Sequence, residues 1–127
     1  MTVSLDLCEL HDIPENDARG FSINTPGGIQ EIFIVRKNDE YFGYINHCPH
    51  TGVNLDWQLH RFLSLDGTEI QCATHGARFR IRDGFCTWGP CQGQSLVPVS
   101  TYIDNNRLRV KTTDHLPDIK SIKYNGK

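Results

Sequence analysis

The chain has 127 residues, 38% of them hydrophobic and 22% charged, the size and balance of a single globular domain with one modest core. Its formal net charge of -2, from 13 basic and 15 acidic residues interspersed without a like-charge block, speaks against a nucleic-acid binder, which shows a strong basic excess. No apolar run approaches the roughly 20 residues needed to span a bilayer. The start, MTVSLDLCELHDIPEND, has neither a basic segment nor a long apolar one, so the expected location is cytoplasmic, with no membrane association. A reducing compartment disfavours structural disulfides, and five cysteines would leave one over. Clustered Cys and His therefore read first as metal ligands.

Taken in chain order, the patterns favour strands. Ile13–Ala18 is the best helical candidate and is too short to matter. Phe21–Asn24 and Gln30–Arg36 are short runs rich in β-branched and aromatic residues, separated by the turn Thr25-Pro26-Gly27-Gly28. Lys37-Asn38-Asp39-Glu40 is a second turn and Tyr41–Asn46 a further strand. Between Asn46 and Pro90 the chain changes character, concentrating cysteines, histidines, both tryptophans and many glycines, as a loop-rich module set into a β base would. Within it Arg78–Arg82 alternates polar and apolar before an Asp83-Gly84 hairpin signal. Leu96–Ile103 and Arg107–Lys111, joined by Asp104-Asn105-Asn106, form a last hairpin, where Pro98 indicates an edge strand or a bulge. Turn signals every 8–12 residues or so predict an all-β sandwich or barrel.

Two pieces carry the chemistry: Cys48-Pro49-His50 and Cys72-Ala73-Thr74-His75, with 21 residues between His50 and Cys72. Each offers one thiolate and one imidazole on a short loop. A loop can aim both side chains at one point, whereas a flat strand sends neighbours to opposite faces. Two thiolates and two imidazoles suit tetrahedral zinc, and they also suit a two-iron cluster. Zinc fingers pair Cys with Cys and His with His at short range; here each piece is mixed, so that each loop can give one ligand to each iron of a pair.

In CPHTGVNLDW (Cys48–Trp57), CATHGARFRIRDG (Cys72–Gly84) and WGPCQGQSLVPV (Trp88–Val99) the sequence resembles the Rieske domains, and the likeness extends over residues 3–111. The resemblance implies an all-β, antiparallel β-sandwich with a loop-rich cluster-binding subdomain, about residues 46–91, set in a β base over 1–111. Residues 112–127 would be a polar C-terminal extension. It implies one [2Fe–2S] cluster, with Cys48 and Cys72 on the buried iron and His50 and His75 on the outer one, Gly52 and Gly76 letting backbone amides approach the sulfurs, and Gly89-Pro90 as a covering proline loop. Two neutral imidazoles replacing two thiolates leave the oxidised cluster less negative, and so easier to reduce.

High-potential respiratory members carry two further cysteines, where this chain has Val53 and Thr74, and a Ser and a Tyr whose hydroxyls bond the cluster, where it has Ala77 and Phe79. Fewer donors to the sulfurs disfavour the reduced state, so the expected potential lies near the low end of the Rieske range of about -150 to +300 mV. The pattern resembles the soluble Rieske ferredoxins that feed ring-hydroxylating oxygenases. It implies an electron carrier rather than an enzyme, docking weakly on a reductase and on a terminal oxygenase or reductase near His50 and His75. The alternative is a small electron-transfer subunit of a larger oxidoreductase. A self-contained oxygenase would need a mononuclear iron domain, for which there is no room after residue 111. Cys86 and Cys91 read as small residues by the proline loop, Cys8 as a buried base-strand thiol, His11, His60 and His115 as surface histidines, Trp57 and Trp88 as packing residues, Phe79 as core, and Asp56 and Asp66 as solvated loop charges.

Overall fold

The computed structural model describes residues 2–25, 28–47, 55, 62–64, 66–72, 76–89 and 93–113. Among these residues there are nine antiparallel strands: β1 (Thr2–Glu9), β2 (Asp17–Thr25), β3 (Gly28–Lys37), β4 (Glu40–Ile45), β5 (Glu69–Gln71), β6 (Arg78–Arg80), β7 (Cys86–Trp88), β8 (Pro98–Asp104) and β9 (Arg107–Thr113). Six form one sheet in the order β1-β9-β8-β4-β3-β2, and β5-β6-β7 form a second, smaller one. The all-β, antiparallel expectation is met.

The apolar run Ile32-Phe33-Ile34-Val35 in β3 explains the layering. Successive strand residues point to opposite faces, and all four are fully buried, so β3 is covered on both sides. Phe33 and Val35 share one core cluster with Tyr44 of β4 and with Ile70, Phe79 and Cys86 of the small sheet. Ile32 and Ile34 share a second with Cys8, Ile23, Val99, Leu108 and Val110. These last come from both edge strands as well as β8 and β9, so the large sheet curls over its own inner face. The small sheet rides on the outer face of β3 and β4.

The tight turns fall where Asn and Asp tolerate left-handed backbone. Asn38 and Asp39 have φ of 53° and 62°, and Asn105 and Asn106 have 52° and 61°, the two-residue geometry that matches the twist of a hairpin. One weak candidate and one expectation fall away. No helix forms at Ile13–Ala18: Pro14 confines Ile13 to extended backbone (φ -108°, ψ 112°), Asn16 is left-handed (φ 60°), and β2 begins at Asp17. A short 3-10 turn at Leu10–Asp12 precedes it, closed by Glu9 and Asp12. Pro98 lies neither on an edge nor in a bulge, since β8 runs between β9 and β4. It takes the first position of the strand, where a missing N–H is tolerated, and the ladder is continued by Ile45 N–H donating to the Val97 carbonyl at 2.9 Å.

Tyr44 links the two layers. Its hydroxyl donates to the Ile81 carbonyl at 2.5 Å across the buried interface, and Gly84 sits against its ring, where a Cβ would come within 2.8 Å. Burial, aided by the Asp83 charge, pushes the phenol pKa up to about 12. Tyr44→Phe keeps the ring and leaves the carbonyl unsatisfied, so it is expected to cost about 1–2 kcal/mol, measured by denaturant unfolding with an unchanged m-value.

Candidate metal centre

The second Cys/His piece of the sequence connects β5 to β6. The ladder pairs Gln71 with Arg78 and is extended by Cys72 N–H donating to the Ala77 carbonyl at 2.8 Å. Gly76 N–H donates to the Cys72 carbonyl at 3.0 Å, and Gly76 takes a left-handed φ of 68°, so the tip closes within one turn. Its own amide is thereby committed to the hairpin. Cys72 and Ala77 have no exposed surface. The thiol stands at the dry base of the tip; His75 lies outside the described residues, between Cys72 and Gly76 in the chain.

The first segment leaves the large sheet at the end of β4. Asn46 N–H donates to the Glu31 carbonyl and His47 N–H to the Ile45 carbonyl, both at 2.9 Å. Cys48 and His50 follow, outside the described residues. The next described residue, Leu55, is fully buried, and its N–H donates to Asn46 Oδ1 at 2.8 Å. Leu55, Cys72 and Ala77 all belong to the core cluster shared with Phe33 and Phe62, whose rings stack at 4.4 Å. The end of the first segment and the start of the second are thus anchored in one apolar mass.

A third chain segment closes over the hairpin. β7 ends at Trp88, and Gly89 follows with φ 106°. It lies so close to Ala77 that a Cβ on it would stand 2.8 Å from Ala77 Cα and 3.1 Å from its Cβ. Pro90 and Cys91 lie outside the described residues. Cys86 is buried, and its Sγ donates to the Trp88 carbonyl at 3.3 Å, the packing role expected of it. Cys8 is a buried thiol of β1 and Phe79 is core, as expected; burial and the nearby Asp12 charge push the Cys8 thiol up. Trp88 departs from expectation. It is 61% exposed rather than packed, its indole edge beside Gly76, in a shallow groove with Glu69, Gln71 and Arg78. β7 is an edge strand of the small sheet and, among the described residues, pairs on one side only, with β6. His11 is exposed beside Glu9. Asp66 is exposed, and the Ser64 hydroxyl, with the Thr68 hydroxyl and N–H, holds its carboxyl down at about 2. Trp57, Asp56, His60 and His115 lie outside the described residues.

This surrounding suits an iron–sulfur group. A soft sulfur, that of Cys72, sits in an apolar base, and Gly89 brings a third segment against the hairpin. The profile of the Rieske [2Fe–2S] domain matches residues 4–113. The chain belongs to that family, and its cofactor is one Rieske-type [2Fe–2S] cluster.

Within the family it is similar to the ferredoxin component of the p-cumate 2,3-dioxygenase system of Pseudomonas putida, 30% identical over 92 residues that make up 72% of each chain. It is 28% identical over 110 residues, 84% of this chain and 93% of the other, to the ferredoxin component of the naphthalene 1,2-dioxygenase/salicylate 5-hydroxylase systems of Ralstonia sp. Among solved structures, a chain in the complex of reduced oxygenase and oxidised ferredoxin of carbazole 1,9a-dioxygenase superposes with a TM-score of 0.67 at 22% identity, covering 85% of this chain and 92% of that one. At that identity the likeness is one of fold. Among the described residues, no helix is long and apolar enough to cross a membrane.

Sequence reading overlooked Asn46. Its buried carboxamide joins residue 46 to residue 55 on either side of the first segment, and an amide two residues before Cys48 was the available signal.

Proposed function

We propose that the chain is a one-electron carrier of the ferredoxin kind, not itself an enzyme, which takes electrons from a reductase and delivers them to a terminal oxygenase. Cys48, His50, Cys72 and His75 hold its cluster, with a thiolate pair on the inner iron and an imidazole pair on the outer. When bound, the cluster accepts and releases a single electron. The observation that carries the reading is the common apolar anchor of the two ligand segments, with Leu55 and Cys72 both fully buried. The family match and the ferredoxin relatives support it.

The protein's own work is positional. The apolar base keeps water from the Cys72 side, and the chain leaves β5 after Cys72 and returns at Gly76 at one end of the small sheet. Partners would dock at that end, near His50 and His75, where the exposed Trp88 and the paired Glu69 and Arg78 offer a mixed apolar and polar surface. Such encounters bury little area and release quickly. The site of action would be the cytoplasm.

Ala77 and Phe79 are buried and bring no hydroxyl, which supports a potential near the low end of about -150 to +300 mV. The test is one preparation and two measurements. The dithionite-reduced protein is expected to give an electron paramagnetic resonance spectrum whose average g value lies below that of all-cysteine clusters. Protein-film voltammetry is expected to place the couple below zero. Zinc in place of iron and sulfide would end the proposal; a Rieske spectrum with a potential well above zero would keep the cluster and refute the low-potential part.

A further inference from the structure

We infer that Asn46 is the positioning residue of the first ligand segment, holding its two ends together through the side-chain carbonyl; this rests on the assignment of Cys48 and His50 proposed above. Asn46 is one of two buried polar residues among those described, at 6% exposure. Three backbone bonds define the point at which the chain departs from the sheet. Ile45 N–H reaches Val97, Asn46 N–H reaches Glu31, and His47 N–H folds back onto Ile45, each at 2.9 Å. No sheet rung is made by Leu55, which lies outside the strands. Its N–H goes to Asn46 Oδ1 at 2.8 Å instead.

The effect of that bond is large for its size. Nine residues of extended chain can reach roughly 30 Å, yet here the carboxamide holds residue 55 within a side-chain length of residue 46. Cys48 and His50 lie inside the loop so closed. The apolar seat of Leu55 makes the bond hard to replace, because a buried N–H left without an acceptor loses its solvation with nothing in return. A neutral amide also supplies the acceptor without placing a charge two residues from a thiolate ligand.

Ser64 provides the comparison. It is the other buried polar residue, also at 6%, and its Oγ accepts Glu69 N–H at 3.2 Å, but the turn it closes holds no proposed ligand. The experiment uses the iron-loaded wild type, Asn46→Ala, Asn46→Asp and Ser64→Ala. Iron release to a chelator is followed together with deuterium uptake at the Leu55 amide. For Asn46→Ala, release is expected to quicken about ten-fold, the worth of one buried hydrogen bond, with loss of Leu55 protection and a broadened reduced-state spectrum. Asn46→Asp, which keeps the acceptor, is expected to hold iron like the wild type at a lowered potential, and Ser64→Ala to leave release and spectrum unchanged.

The inference is overturned if Asn46→Ala releases iron at the wild-type rate, if Ser64→Ala matches it, or if Leu55 exchanges equally fast in wild type and Asn46→Ala. Should Asn46→Ala emerge without iron, retention by Asn46→Asp and Ser64→Ala supports the inference and an iron-free Asn46→Asp refutes it. A wild type without iron sinks the ligand assignment itself, and Leu55 protection then still reads the clamp directly.

Discussion

Cys72→Ala is expected to give a folded, colourless protein, while Cys86→Ala stays coloured. The two thiols are matched for the comparison. Both are fully buried in the same apolar cluster, and each loses one heavy atom on substitution. The stability cost should be similar, about 1 kcal/mol by analogy with other small buried truncations. Their surroundings differ. Cys86 donates to the Trp88 carbonyl within β7, a weak bond whose loss the strand survives. Cys72 stands where the β5–β6 ladder gives way to the hairpin tip. As the proposed thiolate of the inner iron, it has no substitute nearby on its own loop. Removing even an outer partner of a metal ligand lowers affinity about 10–100-fold, and a lost ligand costs more. Iron and acid-labile sulfide analysis, with the visible spectrum, checks this. Full iron and an unaltered reduced-state spectrum in Cys72→Ala would remove Cys72 from the ligand set.

Gly89→Ala should be the most damaging single methyl that can be added at the site. At φ 106° an L side chain is strained wherever it is placed. The added Cβ would also stand 2.8 Å from Ala77 Cα, a backbone atom that cannot swing aside. Relief requires the segment after β7 to lift from the hairpin tip. Strain and overpacking together predict a loss of about 2–4 kcal/mol, read as a melting temperature lower by roughly 10 °C or more, with faster loss of iron. Gly93→Ala isolates the contact. Gly93 is also left-handed, at φ 92°, with nothing within 4 Å of a Cβ, so it should cost about 1 kcal/mol from backbone strain alone and leave iron retention intact. Equal effects at the two glycines would show that the closeness of Gly89 to Ala77 is immaterial.

Much of the base was legible in the sequence because its signals are local. Asn38-Asp39 and Asn105-Asn106 are turn residues in any context, since their short polar side chains tolerate left-handed backbone. The β-branched and aromatic stretch through β3 announced a strand. The small sheet was half legible: Arg78–Arg80 form a strand, but Ile81–Asp83 turn early, where Gly84 N–H bonds the Arg80 carbonyl and Asp83 bonds Phe85 N–H. Strand β1 was legible only through Cys8, read as a base-strand thiol; its bounds were not, because it pairs with β9, Thr2 opposite Thr113, and shifts register between Asp6 and Cys8, which breaks the alternation that would have marked them. Trp88 and Asn46 were misjudged or overlooked for one reason: burial and partners depend on what the rest of the chain leaves uncovered.

By itself, then, the sequence determined the chemistry. Two mixed Cys/His pieces at that spacing, in a chain full of hairpin signals, point to the family before any coordinate and nominate Cys48, His50, Cys72 and His75 as its donors, because ligand type and turn preference belong to individual residues. Tertiary structure alone decided what anchors those donors. That Leu55 and Cys72 share one core, that Gly89 abuts Ala77, that β3 is sealed on both faces and that Asn46 ties the loop neck all depend on contacts between residues far apart in the chain, fixed only when the sheets close on one another.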